Sequence, residues 1–315
     1  MKISVAICTW NRSKLLDQTL TQMRKVNIPK AVELELVIVN NNCTDDTDEV
    51  ISRHSSSLPI SRIFESRQGH SNSRNAAVDA AKGEYILWTD DDVLVDELWV
   101  QAYVEAFERW PEAAIFGGPI DPWFESKPPK WLEEVWGRVA PAYAVRNLGP
   151  DSIPIDEKNL PFGANFALSL PFQKQYRYDP TLGRKGNGML GGDEVTLMTA
   201  MLRDGLQGIW VPNAKVRHFI PSLRQTTNYL RRYFRGQGVV SSRRLERTGE
   251  GSQARHLSWL IFRAAKAEMK YHLYRLFSPP SVWIEHLLRA SILWGRIQGY
   301  SSRSIRLNGK FDSFV

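Results

Sequence analysis

Three consecutive carboxylates, Asp90-Asp91-Asp92, follow the run Gly83-Glu84-Tyr85-Ile86-Leu87-Trp88-Thr89. Carboxylates this close repel one another and cost stability unless a cation or solvent offsets the repulsion. At the end of a buried strand they suit a hard divalent cation. Such an ion binds oxygen, commonly through one or two protein carboxylates, with substrate phosphates completing the shell. A solvated acidic turn is the plainer alternative. A second acidic pair, Asp193-Glu194, follows Gly191-Gly192 and precedes a helix predicted over 195–204. On local sequence alone Asp193 reads as a helix cap. His218 ends the short extended segment Lys215-Val216-Arg217-His218. A lone histidine is ordinarily structural, although imidazole is a good extra ligand for Mn2+ and a poorer one for Mg2+.

The elements that must position these groups alternate along the chain. Ile3-Ser4-Val5-Ala6-Ile7-Cys8-Thr9 is apolar on both faces, as a central parallel strand is. Asn11-Arg12-Ser13 caps a helix predicted over 14–26. A second strand over 34–39 stops at Asn40-Asn41-Asn42, and acidic residues open the next helix at Thr44-Asp45-Asp46-Thr47. A third strand over 62–65, a helix over 72–82 and the acidic strand end follow. The alternation predicts an α/β fold with a doubly wound, mostly parallel sheet over 1–115. Ligands of such sheets bind at the carboxyl ends of the strands, where Thr9, Asn41 and Asp90 to Asp92 would gather. Residues 119–190 are less regular; Trp123, Trp131 and Trp136 are expected to pack, with one or two free to stack on a sugar. Strands are predicted over 208–211 and 215–218.

The 315 residues, 43% hydrophobic and 24% charged, are enough for one large or two modest domains with ample core. Two cysteines supply no disulfide framework, so reduced thiols in a cytoplasmic protein are expected. Neither a secretory leader nor a spanning helix is expected. The net charge of +7 is uneven: residues 221–315 hold 17 Lys+Arg against 5 Asp+Glu, and residues 1–220 hold 24 against 29. The basic 221–315 stretch reads as an amphipathic helical extension. One apolar stripe joins Phe262, Met269, Leu273 and Leu276, with Arg263, Lys266 and Lys270 beside it. Another joins Trp283, Leu287, Ala290, Trp294 and Ile297. Each stripe is expected to pack against the other or against the body. The Trp and Arg content gives a second reading, contact with an anionic membrane surface. No nucleic-acid reader motif is present, and the acidic body opposes that role.

Taken together, these segments resemble the family 2 glycosyltransferases over 2 to about 220. The likeness rests on an ordered set: Ser4-Val5-Ala6-Ile7-Cys8-Thr9-Trp10-Asn11-Arg12; Val37-Ile38-Val39-Asn40-Asn41-Asn42-Cys43-Thr44-Asp45; Gly69-His70-Ser71-Asn72-Ser73-Arg74-Asn75 with Gly83-Glu84-Tyr85-Ile86; and the DxD element at Thr89 to Asp92. The resemblance implies a GT-A fold over 1–220, with a nucleotide-binding half at 1–115 and an acceptor-binding half at 116–220. It implies an inverting enzyme that moves a sugar from a nucleotide diphosphate, UDP by preference, to a saccharide or lipid-linked acceptor. The setting would be bacterial cell-surface polysaccharide or glycolipid synthesis, in the cytoplasm or on the inner face of the membrane.

Carried onto this sequence, the resemblance places Thr9, Asn11 and Arg12 in the nucleoside pocket and Asn41 on the base edge. Arg74 would reach ribose or phosphate, Asp90 the ribose, with Asp91 beside it. Asp92 would ligate Mn2+ or Mg2+, with His218 as a further ligand. Gly163-Ala164-Asn165 looks like the loop beside the transferred sugar. Glu194 would be the base and Asp193 would bind the acceptor, although the family order is commonly Glu then Asp. The second strand end departs from the family, with three amides where at least one Asp is usual. A sugar-1-phosphate nucleotidyltransferase or an NAD-dependent dehydrogenase would need a glycine-rich loop after the first strand, which Thr9-Trp10-Asn11-Arg12 lacks. A non-catalytic sugar- or nucleotide-binding relic of the fold would be expected to lack the acidic pair or the metal acids.

Overall fold

Apolar residues on both sides of a strand require cover on both faces, and that need organises the chain. In the computed structural model, which describes residues 1–183, 192–247 and 253–308, β1 (Lys2–Thr9) lies between such covers. Ile3, Val5 and Ile7 pack with Leu16, Leu20 and Met23 of α1 (Ser13–Met23) on one face. Ala6 packs on the other face with Ala77 and Val78 of α3 (His70–Ala80) and Leu197, Met198 and Met201 of α7 (Asp193–Arg203).

The chain runs from β1 and α1 through β2 (Glu33–Asn40), α2 (Thr47–His54), β3 (Ile60–Phe64), α3, β4 (Tyr85–Asp90), β5 (Val93–Val95), α4 (Trp99–Arg109), β6 (Ala113–Gly117) and β7 (Ile120–Phe124). It continues through α5 (Lys130–Val139), β8 (Asn165–Ser169), α6 (Leu170–Gln175), α7, β9 (Gln207–Trp210) and β10 (Val216–Ile220). A seven-stranded sheet has the order β3-β2-β1-β4-β8-β6-β9. β8 alone runs against its neighbours β4 and β6, while the other pairings are parallel. The register sets Thr9 opposite Asn40 and Cys8 opposite Asp90, which brings the polar ends of β1, β2 and β4 to one edge. A second, three-stranded sheet has the order β5-β10-β7.

Sequence periodicity locates the strands of the first half closely and the helix ends less so. α1 stops at Met23, short of 26, and α3 begins at His70 rather than Asn72. α7 starts at Asp193, two residues before the predicted helix; its N-cap is Gly192, in the left-handed region at φ 97°. Asp193 is therefore not the cap residue. Gly191 lies outside the described residues.

The chain divides into two compact units. The first comprises 1–123, 143–183 and 192–220 of the described residues and holds both sheets. The second takes in Phe124–Ala142 as well as the stretch from Pro221 onward, so 124–142, assigned to the 116–220 half by sequence, clusters with the extension. Its helices are α5, α8 (Thr227–Arg247), α9 (Gln253–Phe277) and α10 (Pro280–Asn308). α8 and α10 approach backbone to backbone: a Cβ on Gly295 would lie 2.0 Å from the Arg235 carbonyl oxygen, and one on Gly238 would lie 2.2 Å from that of Ile292. The Trp283, Leu287 and Ala290 stripe is buried, and Trp294 and Ile297 pack on Leu260 and Ala264 of α9. The Phe262, Met269, Leu273 and Leu276 stripe, expected to pack, is exposed. Among the described residues, no helix is long and apolar enough to cross a membrane.

Candidate active site

β4 ends at Asp90 and β5 begins at Val93, so Asp91 and Asp92 form the turn between them. β10 pairs antiparallel with β5 and sets His218 opposite Val93, and the Phe219 N–H donates to the Asp92 carbonyl at 2.9 Å. The small sheet thus carries the histidine to the acidic turn across more than a hundred residues of sequence. His218 Nδ1 lies 2.8 Å from the Tyr143 carbonyl oxygen. A carbonyl can only accept, so Nδ1 donates and Nε2 is the ring atom turned toward the acidic turn. That atom lies 3.5 Å from Asp92 Oδ1. A cation placed between Nε2 and this carboxylate would be within reach of both, and the backbone bond at Nδ1 orients the ring as second contacts of metal-bound histidines do.

Arg12 Nη1 donates to Asp91 Oδ1 at 2.9 Å and to Asp92 Oδ2 at 3.0 Å. The guanidinium, expected in a nucleoside pocket, here offsets the mutual repulsion of the acidic turn. Asp90 feels the deficit: burial, then the Asp92 charge, pushes its carboxyl up to about 6. Among the described residues, no group of three or more His, Cys, Asp or Glu side chains is already gathered as a metal cage. The side chains present instead suit a cation held by one carboxylate and one imidazole with ligand oxygens, a set that favours Mn2+.

The second cluster is built around Arg74, which α3 buries to 2% exposure. Its guanidinium carbon sits 5.6 Å from the ring centres of Trp88 and Phe166 and 5.2 Å from that of Tyr178. A cation so enclosed needs anionic partners. Nη1 is 3.3 Å from Asp193 Oδ2 and 3.6 Å from Glu194 Oε2, and Nη2 donates to the Gly163 carbonyl at 3.3 Å. Although burial opposes its ionisation, Arg74 and His70 hold the Asp193 carboxyl far below the usual range. Burial and the neighbouring Asp193 charge push Glu194 the other way, to about 8. Adjacent carboxyls of opposite character mark an acid–base assignment, and a base poised near neutrality is the effective kind. Asp90 also acts on the charge of Arg74, so the guanidinium feels both acidic clusters.

Several sequence candidates have other places. Arg74, expected at ribose or phosphate, is sealed in its aromatic box and positions the acidic pair. Asn165, expected beside the sugar, is wholly buried. Its Oδ1 accepts from Trp99 Nε1 at 2.8 Å and the Tyr103 hydroxyl at 2.9 Å. Its Nδ2 donates to the carbonyls of Pro119 at 2.9 Å and Ala214 at 2.7 Å. All of its polar capacity is used in the core. Asn41, expected on the base edge, donates to the carbonyls of Glu65 at 2.8 Å and Arg67 at 2.9 Å and accepts from the Gly69 N–H at 2.9 Å. It shapes the 65–69 loop. Asn11 takes φ 51°, which asparagine tolerates better than most residues, and its Oδ1 accepts from the Thr44 N–H at 2.7 Å, joining the loops after β1 and β2. Thr9 is buried at the end of β1. Asp91 itself is buried against Arg12.

Three residues of this site were not singled out by sequence. His70 Nδ1 lies 3.7 Å from Asp193 Oδ2, and Ser71 Oγ donates to the Leu182 carbonyl at 2.9 Å and lies 3.5 Å from Asp193 Oδ2. Both stand in the quoted Gly69 to Asn75 segment, where the signal was present but unassigned. Tyr178, part of the aromatic box, left no signal, because its role depends on a chain reversal about a hundred residues after Arg74. Cys8 and Cys43 are free, and burial pushes both thiols up, which makes them poor nucleophiles.

The sheet order, the acidic strand end and the acidic helix start fit a GT-A fold. Residues 4–157 match the family described as glycosyl transferase family 2. The chain is 23% identical over 252 residues to the succinoglycan biosynthesis protein ExoM of Rhizobium meliloti, covering 75% of this chain and 74% of that one. It is 24% identical over 235 residues to the glucosyl-dolichyl phosphate glucuronosyltransferase of Haloferax volcanii, covering 73% of each. The fold matches the mannosyltransferase PcManGT of Pyrobaculum calidifontis, solved with GDP-Man and Mn2+. The TM-score is 0.63 at 15% identity, over 96% of this chain and 87% of that one.

Proposed function

We infer that the protein transfers a sugar from a nucleotide diphosphate to an acceptor hydroxyl with inversion, using Glu194 as the base. The observation that carries this reading is the split pair on α7: Asp193 held charged by Arg74, and Glu194 raised to about 8 beside it. The acceptor oxygen bonds to the anomeric carbon as the carbon–oxygen bond to the diphosphate breaks. The acceptor proton passes to Glu194, and the bonding pair leaves with the diphosphate. A single base and direct displacement give inversion. Asp193, enclosed by Arg74, His70 and Ser71, orients its neighbour more than it touches an acceptor.

Asp92 and His218 would hold a divalent cation, and Mn2+ supplies electrostatic stabilisation of a departing diphosphate when bound. The Mn2+ in the PcManGT structure supports the use of a divalent cation. Uridine is the base proposed from the family likeness, and guanosine, as in that neighbour's GDP-Man, is the competitor. A saccharide or lipid-linked acceptor in polysaccharide or glycolipid synthesis is supported by the two relatives, a succinoglycan biosynthesis protein and a glucosyl-dolichyl phosphate glucuronosyltransferase. A cytoplasmic setting fits the two free thiols.

The test is a calorimetric titration of UDP and GDP with and without Mn2+, followed by proton NMR of the product formed from the better donor. Mn2+-dependent binding and an inverted anomeric configuration are expected. Retained configuration would remove Glu194 from the role of base in a direct displacement.

A further inference from the structure

In the second unit, one helix is apolar on two opposite sides. Leu260, Ala264, Ala267 and Tyr271 of α9 are buried. Phe262, Met269, Leu273 and Leu276, spaced by three, four and seven residues, lie on the other side and are between 53% and 73% exposed. A contiguous apolar face of this kind on a soluble chain marks a surface that something covers.

Cations run along the flank of that stripe. Arg263, Lys266 and Lys270 of α9 join Arg289 and His286 of α10 around a cleft of about 230 Å³ whose edge is Phe262. Among the described residues, no carboxylate forms an ion pair with Lys266, Lys270 or Arg289. The nearby acids are committed elsewhere: Glu268 to Arg231 at 2.7 Å, and Glu285 to Arg138 at 2.5 Å. Burial first, then the Lys270 charge, holds His286 below its usual range. Among the described residues, the positive charge of the cleft is therefore left uncompensated.

We propose that this face of α9 and α10 docks on an anionic phospholipid bilayer, the cleft taking a lipid phosphate while Phe262, Met269, Leu273 and Leu276 enter the acyl boundary. Apolar side chains beside a cationic flank match an anionic interface in both respects. A protein partner would need a carboxylate-rich apolar surface, and a second copy would bring cation against cation. The surface is independent of the assignment of donor, metal and base.

The test is co-sedimentation of the full chain with vesicles of phosphatidylcholine alone and of phosphatidylcholine with phosphatidylglycerol, without donor or metal. Binding to the anionic vesicles alone, weakened by salt, is expected. Lys266→Gln with Lys270→Gln should lower partitioning about fivefold for each cation removed. Leu273→Glu with Leu276→Glu should abolish it while leaving the circular dichroism unchanged, because both side chains are exposed. Equal binding to the two vesicle types, or to neither, overturns the proposal. So does displacement by inorganic phosphate combined with undiminished binding of the Leu273/Leu276 variant, which would make the cleft a soluble-phosphate site. A dimer in sedimentation velocity that this variant dissolves, with no vesicle binding by the parent, would identify a self-interface instead.

Discussion

Asp193 and Glu194 are consecutive on the first turn of α7, yet one guanidinium sorts them into different charge states. Arg74 Nη1 stands 3.3 Å from Asp193 and 3.6 Å from Glu194. The more deeply buried acid takes the stronger ion pair and stays charged, and its charge then keeps the proton on its neighbour. Order along the helix decides which acid is which: the first residue of the turn points to Arg74, the second stays partly open.

The first prediction follows from that sorting. Glu194→Gln should leave donor binding intact and lower kcat by about 10²–10⁴-fold, the range of general base catalysis. In the parent, kcat/KM should rise with pH through about 8 as Glu194 loses its proton. Stability should move oppositely. The folded state binds the Glu194 proton more tightly than an unfolded carboxyl of pKa 4.5, so this contribution is present at low pH and is lost as pH rises toward about 8. Glu194→Gln should flatten that slope in chemical denaturation. A parental pH–rate profile in the variant would move the base to another group.

The second concerns the cation. Chelation should abolish transfer, and Asp92→Asn should remove Mn2+-dependent heat on titration with nucleotide diphosphate. His218→Ala should weaken Mn2+ more than Mg2+, because imidazole contributes to the softer ion. Equal losses for both ions would return His218 to a structural role, carried by its bond to the Tyr143 carbonyl at 2.8 Å.

The third separates core from site. Asn165→Ala would strand the Trp99 and Tyr103 donors and the Pro119 and Ala214 carbonyls, all in the buried interior. Buried groups left unpaired cost about 1–3 kcal/mol each, so a loss of at least about 3 kcal/mol in urea unfolding is expected. Donor affinity below the lowered Tm should be unchanged. A selective loss of donor affinity with parental stability would restore Asn165 to the sugar site.

The strands β1, β2 and β4 and the two acidic clusters were legible because local patterns encode them: two-sided apolar runs, polar strand ends and a short run of carboxylates. The amides were not. The family resemblance placed Asn41 on the base edge and Asn165 beside the sugar, and only tertiary partners reveal that each is satisfied inside the protein. The antiparallel β8 inserted between β4 and β6 was equally hidden, since strand direction depends on a connection of irregular loops. The exposed stripe of α9 shows the same limit in reverse: periodicity identified a coherent apolar face, but burial is decided by what the rest of the fold supplies.

Gly163→Ala tests whether the position of Arg74 matters to chemistry rather than to folding alone. A Cβ at 163 would lie 2.6 Å from Arg74 Nη2 and 3.4 Å from Glu194 Oε1. Arg74 cannot yield easily, being enclosed by Trp88, Phe166 and Tyr178 and paired with Asp193. The methyl group must therefore shift either the guanidinium or the loop that carries Gly163. Because Arg74 lowers the Glu194 pKa, moving the charge away should carry the pH–rate profile to higher pH and reduce kcat at neutrality by about tenfold, as about 1.4 kcal/mol of lost transition-state stabilisation would. Gly137→Ala is the control. It sits within α5, and a Cβ there meets nothing within 4 Å, so unchanged kinetics and a gain of about 0.5–1 kcal/mol in helix stability are expected. A Gly163→Ala enzyme with the parental pH profile would show that Arg74 holds the fold and leaves the base untouched.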